Sequence, residues 1–264
     1  MTRLLDYLRL AGSYVRLNFA AQLEYRGAFI SQVVAMFVND LVWVAFWVLF
    51  FTRFPVLRAW NVTDVITIWA IATAGFGVAH AIYGNAAMIA SLIAQGQLDV
   101  WMLYPRAVLP HLLLGRMSAT ALGDALFGFA LYVVVAQPDL PHFALFTALV
   151  VSTATLFVGF GIMAGSIGFY LGNATTLAQQ WQFTMVTFAT YPATLFQGAV
   201  KLLLFTAVPA LFISHYPVQA LRSLSLPDAA LAFLGALGVL AVGVAVFHHG
   251  LRRYESGNLL VMRE

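Results

Sequence analysis

The 264-residue sequence contains no cysteine, and only 9% of its residues are charged. Without cysteine, the chain can form neither a disulfide nor a thiolate metal site. Soluble domains carry about a quarter charged residues, so this chain lacks the polar side chains that would cover a fold in water. Its mean hydropathy is +0.89, and 62% of its residues are hydrophobic. These values predict that lipid is the solvent for most of the fold.

The sequence also lacks the motifs of nucleotide hydrolysis and of metal-dependent catalysis. Its only lysine, Lys201, lies in the apolar stretch GAVKLLLF, which is not a phosphate-binding loop. HExxH and GxSxG are absent, and the adjacent His248 and His249 would point about 100° apart on a helix. We therefore expect this chain to bind no metal or cofactor and to have no enzyme activity of its own.

Six apolar stretches are each long enough to cross a bilayer, since a helical span needs about 20 apolar residues. Backbone groups in lipid must be paired within the fold, which favours helices. The sequence therefore predicts an all-α polytopic membrane protein with one transmembrane domain over residues 1–264. The predicted spans are residues 28–51, 64–93, 107–135, 143–171, 175–198 and 228–249.

Three segments outside these spans have patterns of their own. In residues 3–24, apolar side chains recur every three or four positions, which indicates an amphipathic helix in the membrane interface or one packed on a partner protein. Residues 94–106 are polar and predict either a short surface helix or a plain connecting loop. Residues 199–217 are apolar but interrupted by Pro209 and Pro217, which indicates short re-entrant helices.

The basic residues lie at span ends, and the net charge of +3 comes mostly from arginine. This distribution is not the single basic face of a nucleic-acid-binding protein. An even number of spans puts both termini on one side, and the positive-inside rule makes that side cytoplasmic. The basic residues then assigned to the cytoplasm are Arg3, Arg9, Arg16, Arg26, Arg106, Arg116, Arg252, Arg253 and Arg263, and those assigned outside are Arg53, Arg58, Lys201 and Arg222.

Charged residues and histidines are rare inside the predicted spans, where each is costly unless it is paired or functional. They are Asp40, His80, His111, Arg116 and Asp124. Arg116 and Asp124 are eight residues apart, which predicts one face of the third span. The set is too sparse for a proton relay, and it favours structural pairing or contact with a second subunit.

GxxxG spacings at Gly161–Gly165 and Gly168–Gly172 indicate close helix packing, either within the chain or between subunits.

Four short stretches, each of which occurs once, are the part of the sequence that can be compared with a known family. They are Tyr25-Arg26; Gly96-x-Leu98-Asp99 with Leu103-x-Pro105; Tyr191-Pro192 and Phe196 with Leu204-Phe205, Pro209 and Tyr216-Pro217; and Gly-Leu-Arg-Arg-Tyr-Glu-Ser-Gly at 250–257. In this order, over essentially the whole chain, they resemble the membrane subunit of a bacterial ATP-binding-cassette (ABC) transporter of the type-2 exporter class. More narrowly, the chain looks like permeases encoded beside a second permease and an ATPase.

The resemblance implies a set of partners. Two ABC ATPase subunits would carry ATP and magnesium, and a homologous or identical second permease would complete an export path in the bacterial inner (plasma) membrane. A coupling helix after the second span would dock on an ATPase, with Asp99 capping it or pairing with an ATPase arginine. The residues that the resemblance assigns to coupling are Gln95, Gly96, Gln97, Leu98, Asp99 and Leu103.

The resemblance also implies a path for a hydrophobic or amphipathic substrate, lined by the first, second and fifth spans. The candidate lining residues are Phe37, Asp40, Trp43, Phe46, His80, Tyr83, Phe183, Phe188 and Tyr191. Lipid contact or core packing is the alternative for each. Two other functions make different predictions from the same sequence. A stand-alone secondary transporter or channel is expected to show broken helices in two related halves, and an intramembrane enzyme acting on lipid would need clustered catalytic groups.

Overall fold

The computed structural model describes residues 2–57 and 59–254, and within these ranges the chain is helical without a β-sheet. Arg58, Arg263, the side chain of Arg3 and residues 255–257 of the C-terminal motif lie outside the description. The prediction of an all-α fold is confirmed. The helices are α1 (Thr2–Glu24), α2 (Arg26–Arg53), α3 (Val62–Ile82), α4 (Ile89–Ala94), α5 (Leu98–Met102), α6 (Val108–Leu114), α7 (Ala119–Ala136), α8 (Leu140–Gly165), α9 (Gly168–Leu171), α10 (Thr175–Ala189), α11 (Gly198–Thr206), α12 (Leu211–Ser214), α13 (Tyr216–Ser223) and α14 (Leu226–Leu251).

Five helical segments of the described chain are long and apolar enough to cross a membrane: α2, α3, α7, α8 with α9, and α14. Of the predicted fifth span, only the 15 residues of α10 form a continuous helix. Pro192 follows, and because proline disfavours the helical conformation of the preceding residue, the chain turns there. The next candidate for a sixth span is α11 with α12 and α13, which bend by 80°. This bend lies in the segment predicted to be re-entrant.

Two predicted spans are interrupted rather than continuous. Residues 64–93 form α3, a 3₁₀ turn at Gly84–Met88 and then α4, and residues 107–135 form α6 and α7 with a break at 115–118. The two interruptions supply partners for each other, since the Gly84 amide donates to the Arg116 carbonyl at 3.0 Å and the Ser118 amide donates to the His80 carbonyl at 3.2 Å. The expectation that Arg116 and Asp124 share one helix face is therefore wrong, because the helix is broken between them.

Helix α3 forms the centre of the bundle, with α7 on one side and α8 on the other, while α2 packs on α7 and α14 packs on α8. Most of α3 is buried, whereas α2 and α14 expose long apolar faces. Gly161 and Gly165 of α8 meet Ala86 and Ile89 of the same chain. The structure thus uses this GxxxG spacing for packing within the subunit.

The two ends of the bundle differ in their elements. One end, here called the α5 end, carries α1, α5, α6, α9 and the last residues described. At the opposite end, called the α13 end, Arg222 of α13 donates from Nε and Nη2 to both oxygens of Asp64 at the start of α3, at 2.8 and 2.6 Å. The Arg222 guanidinium also lies over the ring of Trp60. These contacts fasten the segment before the last span to the central helix.

Candidate functional site

Helix α5 is a short helix at the α5 end whose anchor is apolar. Leu98 is fully buried, and Trp101 packs edge-on against His111 of α6 with ring centroids 5.3 Å apart. Gly115 makes room for this indole, because a Cβ atom there would overlap the Trp101 ring. The helix is therefore fixed to α6 while its other face stays free.

The free face of this segment is largely apolar. Val100, Met102, Leu103 and Tyr104 are all exposed, and Leu103 is 84% exposed. Four exposed apolar side chains thus lie within five consecutive positions, and they are here called the α5 patch. Exposed apolar side chains that are grouped on a segment too short to span a membrane suit contact with another protein.

The predicted coupling residues occupy different environments around the α5 patch. Gln95 and Gln97 are exposed, and Gln97 Nε2 donates to Gln95 Oε1 at 2.8 Å. Gly96 adopts φ +68°, a left-handed conformation that ends α4 at low cost only for glycine. Leu98 points into the core instead of outward, while Leu103 is exposed.

Asp99 lies beside Tyr254, the last described residue. Burial, followed by the neighbouring Asp99 side chain, raises the pKa of Tyr254 to about 12. The Tyr254 ring also meets Phe169 of α9 edge-on at 6.2 Å. The C-terminal end of α14 therefore touches the segment that carries the α5 patch.

Helix α1 crosses the same end of the bundle. The Tyr14 hydroxyl lies 2.5 Å from His111 Nε2, and Asn18 Nδ2 donates to the Leu114 carbonyl at 3.1 Å. Burial, and then the neighbouring Tyr104, raises the pKa of Tyr14. Tyr14, Trp101, Tyr104 and His111 form one aromatic cluster that joins α1, the α5 patch and α6.

A cavity of about 470 Å³ opens at the depth of the middle of α2, between α2, α3, α7, α8 and α10. Its volume lies within the range of small-molecule sites. Four of the nine predicted path residues come together in it. These are Asp40, Trp43, Phe183 and Tyr191.

Two further path candidates on α2 lie outside the cavity. Phe37 packs edge-on against Phe127 of α7, with ring centroids 5.4 Å apart. Phe46 is 48% exposed and meets Trp47 within α2. The first therefore belongs to helix packing, and the second lies on the outer face of α2.

The remaining candidates lie away from the cavity as well. His80 stacks on Phe76, one turn earlier in α3, and its Nδ1 lies 3.0 Å from the Phe76 carbonyl. Tyr83 lines a separate, apolar cavity of about 660 Å³. Phe188 packs against Phe196, which follows the turn after the end of α10.

Several lining residues were not among the predicted set. Trp69, Thr73 and Phe76 of α3 line the cavity, as do Met36 of α2 and Asp124 of α7. The spacing of four and then three residues along α3 places its three side chains on one helix face. That periodicity in the sequence is the signal that could have identified them. Trp69 stacks on Trp43 with ring centroids 5.7 Å apart and planes 19° apart.

Two carboxyl groups face the cavity. Asp40 is 5% exposed and Asp124 is 3% exposed. Asn39 Nδ2 reaches Asp40 Oδ1 at 3.5 Å, whereas Asp40 Oδ2 and Asp124 Oδ1 have no hydrogen-bond partner among the described residues. No arginine or lysine is among the described residues that line the cavity. The cavity is thus aromatic, and none of the described residues that line it carries a positive charge to neutralise the buried acidic groups.

Comparison with known proteins gives one match. A family model described as "ABC-2 family transporter protein" matches residues 37–257, which is most of the chain. No curated protein and no solved structure matches the chain. The matched region includes α3 to α14, the α5 patch and every residue that lines the 470 Å³ cavity except Met36.

Proposed function

This chain belongs to the ABC-2 family of transporter proteins, and from this premise we propose that it is the permease subunit of an ABC exporter. It would form half of a path for a hydrophobic or amphipathic substrate. ATP hydrolysis would reside on separate ATPase subunits, two per complex, which would hold ATP and magnesium. The observation that carries the proposal is the α5 patch, an exposed apolar surface on a short helix fixed rigidly to the bundle.

A docked ATPase can move the permease only through an element that is attached firmly to the helix bundle. The attachment of α5 to the bundle therefore matters for the proposal. The anchor of α5 is buried Leu98 together with Trp101, which packs on His111. Through α4 the segment continues into α3, which lines the 470 Å³ cavity. A displacement of the α5 patch would therefore shift a cavity wall, provided that the bundle has two packings of similar free energy.

The distribution of basic residues supports a cytoplasmic α5 end. Arginines at that end include Arg9, Arg16 and Arg26 of the first two helices, and Arg106 follows the α5 patch. The positive-inside rule favours this side for the cytoplasm. Both termini would then be cytoplasmic, in the bacterial inner membrane that the family resemblance implies.

The exposed face of α2 supports a second permease subunit. Trp43 is 44% exposed and Phe183 of α10 is 67% exposed, and both line the cavity. A single chain therefore encloses the cavity incompletely. A homologous or identical partner across α2 and α10 would complete the path, while lipid would cover the outer face of α14.

Co-purification with a variant of the α5 patch tests this function. The tagged chain is solubilised from its native membrane, and the bound proteins are identified and assayed for ATP hydrolysis. We expect an ATPase with a phosphate-binding loop to co-purify, and Leu103→Glu to abolish its binding because a carboxylate replaces an apolar contact. The matched control is Leu140→Glu, at an 80% exposed leucine near the α13 end, which should retain the ATPase.

Other outcomes of the co-purification would contradict the docking role of the α5 patch. If no such ATPase binds the wild-type chain, or if both glutamate variants retain or lose it equally, the α5 patch is not the docking surface. Uphill transport by the purified chain alone would instead favour the stand-alone transporter.

A further inference from the structure

The cavity between α2 and α10 has a chemical character that the general transporter function does not specify. Its walls are apolar and aromatic, with Trp43 stacked on Trp69. Into this surface project two carboxyl groups that are more than nine-tenths buried. Each group has one buried oxygen without a hydrogen-bond partner among the described residues. Such oxygens are costly, so a binding site that contains two of them is complementary to a positively charged ligand.

We propose that the cavity binds a lipophilic organic cation, with Asp40 and Asp124 facing the charge and Trp43 and Trp69 holding the apolar body. This inference rests on the proposed function, because it names the substrate class of the same path. Aromatic faces attract organic cations within about 6 Å of the ring centroid, and the attraction is greatest where water is excluded. The walls therefore favour a large, weakly hydrated cation.

A metal ion suits the cavity less well. Metal cations with oxygen ligands take six or more of them, and no group of three or more histidine or acidic side chains within the described chain could hold one. Apart from the two carboxyl groups, the polar side chains of the lining are Asn39, Thr73, Thr187, Thr190 and Tyr191. Thr190 Oγ1 already donates to the Thr187 carbonyl. The sparse polar lining and the two tryptophans point to an organic ligand.

A pair of probes with the same shape and opposite charge tests the proposal. Tetraphenylphosphonium and tetraphenylborate differ in the sign of their charge, so a comparison separates charge recognition from simple apolar binding. Binding to the purified chain in an uncharged maltoside detergent is measured by equilibrium dialysis, with protein-free micelles as background. We expect saturable binding of the phosphonium and only background binding of the borate.

Variants of the cavity residues identify the side chains that bind the phosphonium. Asp40→Asn and Asp124→Asn remove charge without changing shape, and each should weaken phosphonium binding about tenfold or more because a desolvated charge interaction is lost. The matched control is Asp139→Asn, which removes an exposed carboxylate at the start of α8 and should leave binding unchanged. Trp43→Ala should also weaken phosphonium binding, because it removes an aromatic wall of the cavity at a position that is 44% exposed.

A choline lipid headgroup and a free amphipathic amine share the same cationic chemistry. Repeating the dialysis with added phosphatidylcholine distinguishes them. Competition would identify a lipid headgroup as the occupant, and undiminished phosphonium binding would identify a free cation. Either result retains the cation site.

Two results would overturn the inference: equal binding of both probes, or phosphonium binding that is the same in wild type, Asp40→Asn and Asp124→Asn. Because this assay uses no ATPase, its failure leaves the co-purification result intact. Conversely, cation binding by a chain that recruits no ATPase would retain the site and reject the exporter function.

Discussion

At the scale of single residues, glycines set how closely α3 approaches α7. A Cβ atom at Gly77 would lie 2.2 Å from the Ala125 backbone nitrogen, and one at Gly128 would lie 2.5 Å from the Ala74 nitrogen. Real atoms cannot approach so closely, so larger residues would force the helices apart. In lipid, such close backbone contacts replace the hydrophobic driving force that water supplies to soluble proteins.

We predict that Gly77→Ala destabilises the bundle by about 1–3 kcal/mol, because overpacking at a rigid backbone contact cannot relax. Thermal unfolding in detergent, followed by tryptophan fluorescence, measures the change. Gly238→Ala is the matched control, since the same methyl group on α14 meets nothing within 4 Å. It should leave the unfolding temperature unchanged or raise it slightly, as alanine favours helix. Equal losses in both variants would contradict the packing argument.

At the scale of elements, the sequence predicted which segments are helical and apolar better than it predicted where helices break. The long apolar runs predicted α2, α14 and most of α8, although the predicted fourth span, residues 143–171, continues past the end of α8 at Gly165. The breaks at Gly84–Met88 and at 115–118 depend on hydrogen bonds between the two interruptions, and such long-range pairing leaves no local signal. The same limit applies to the cavity, where Asp40 was predicted but the approach of Asp124 and Trp69 from other helices was not.

A contact between elements, that of Asp99 with Tyr254, makes a prediction about pH. The pKa of this tyrosine is raised from 10.0 to about 12, first by burial and then by Asp99. The folded state thus favours the protonated phenol, so the stability from this contact is intact below pH 10. That stability is lost as pH rises from 10 to 12, because the unfolded chain releases its proton first.

Ultraviolet titration of tyrosinate measures this contact. The difference between wild type and Tyr254→Phe should show one phenol that titrates near pH 12. Asp99→Asn should move that titration to lower pH but not fully to 10, because burial remains. Asp139→Asn, at the other end of the bundle, serves as control and should not move it. If the Tyr254 titration is the same with and without the Asp99 carboxylate, Tyr254 and Asp99 are not in contact.

At the scale of the whole molecule, the structure connects the α5 patch, the proposed docking surface, to a cavity. The α5 patch lies at one end of the bundle, α3 and α4 connect it to the cavity wall, and Arg222 fastens the α13 end of the same central helix. The sequence contains no phosphate-binding loop. Under the proposed function, nucleotide acts on the cavity only through a partner subunit.

Accessibility of the cavity to a thiol reagent tests this claim without knowledge of the substrate. The chain has no cysteine, so Phe183→Cys provides a single label at the exposed edge of the cavity, and Leu237→Cys on the exposed face of α14 is the control. We predict that trapping the ATPase with ATP and vanadate changes the labelling rate of Phe183→Cys several-fold in the complex. The rate for Leu237→Cys, and both rates in the isolated chain, should stay constant. An unchanged rate in the complex, or a nucleotide effect on the isolated chain, would contradict the account.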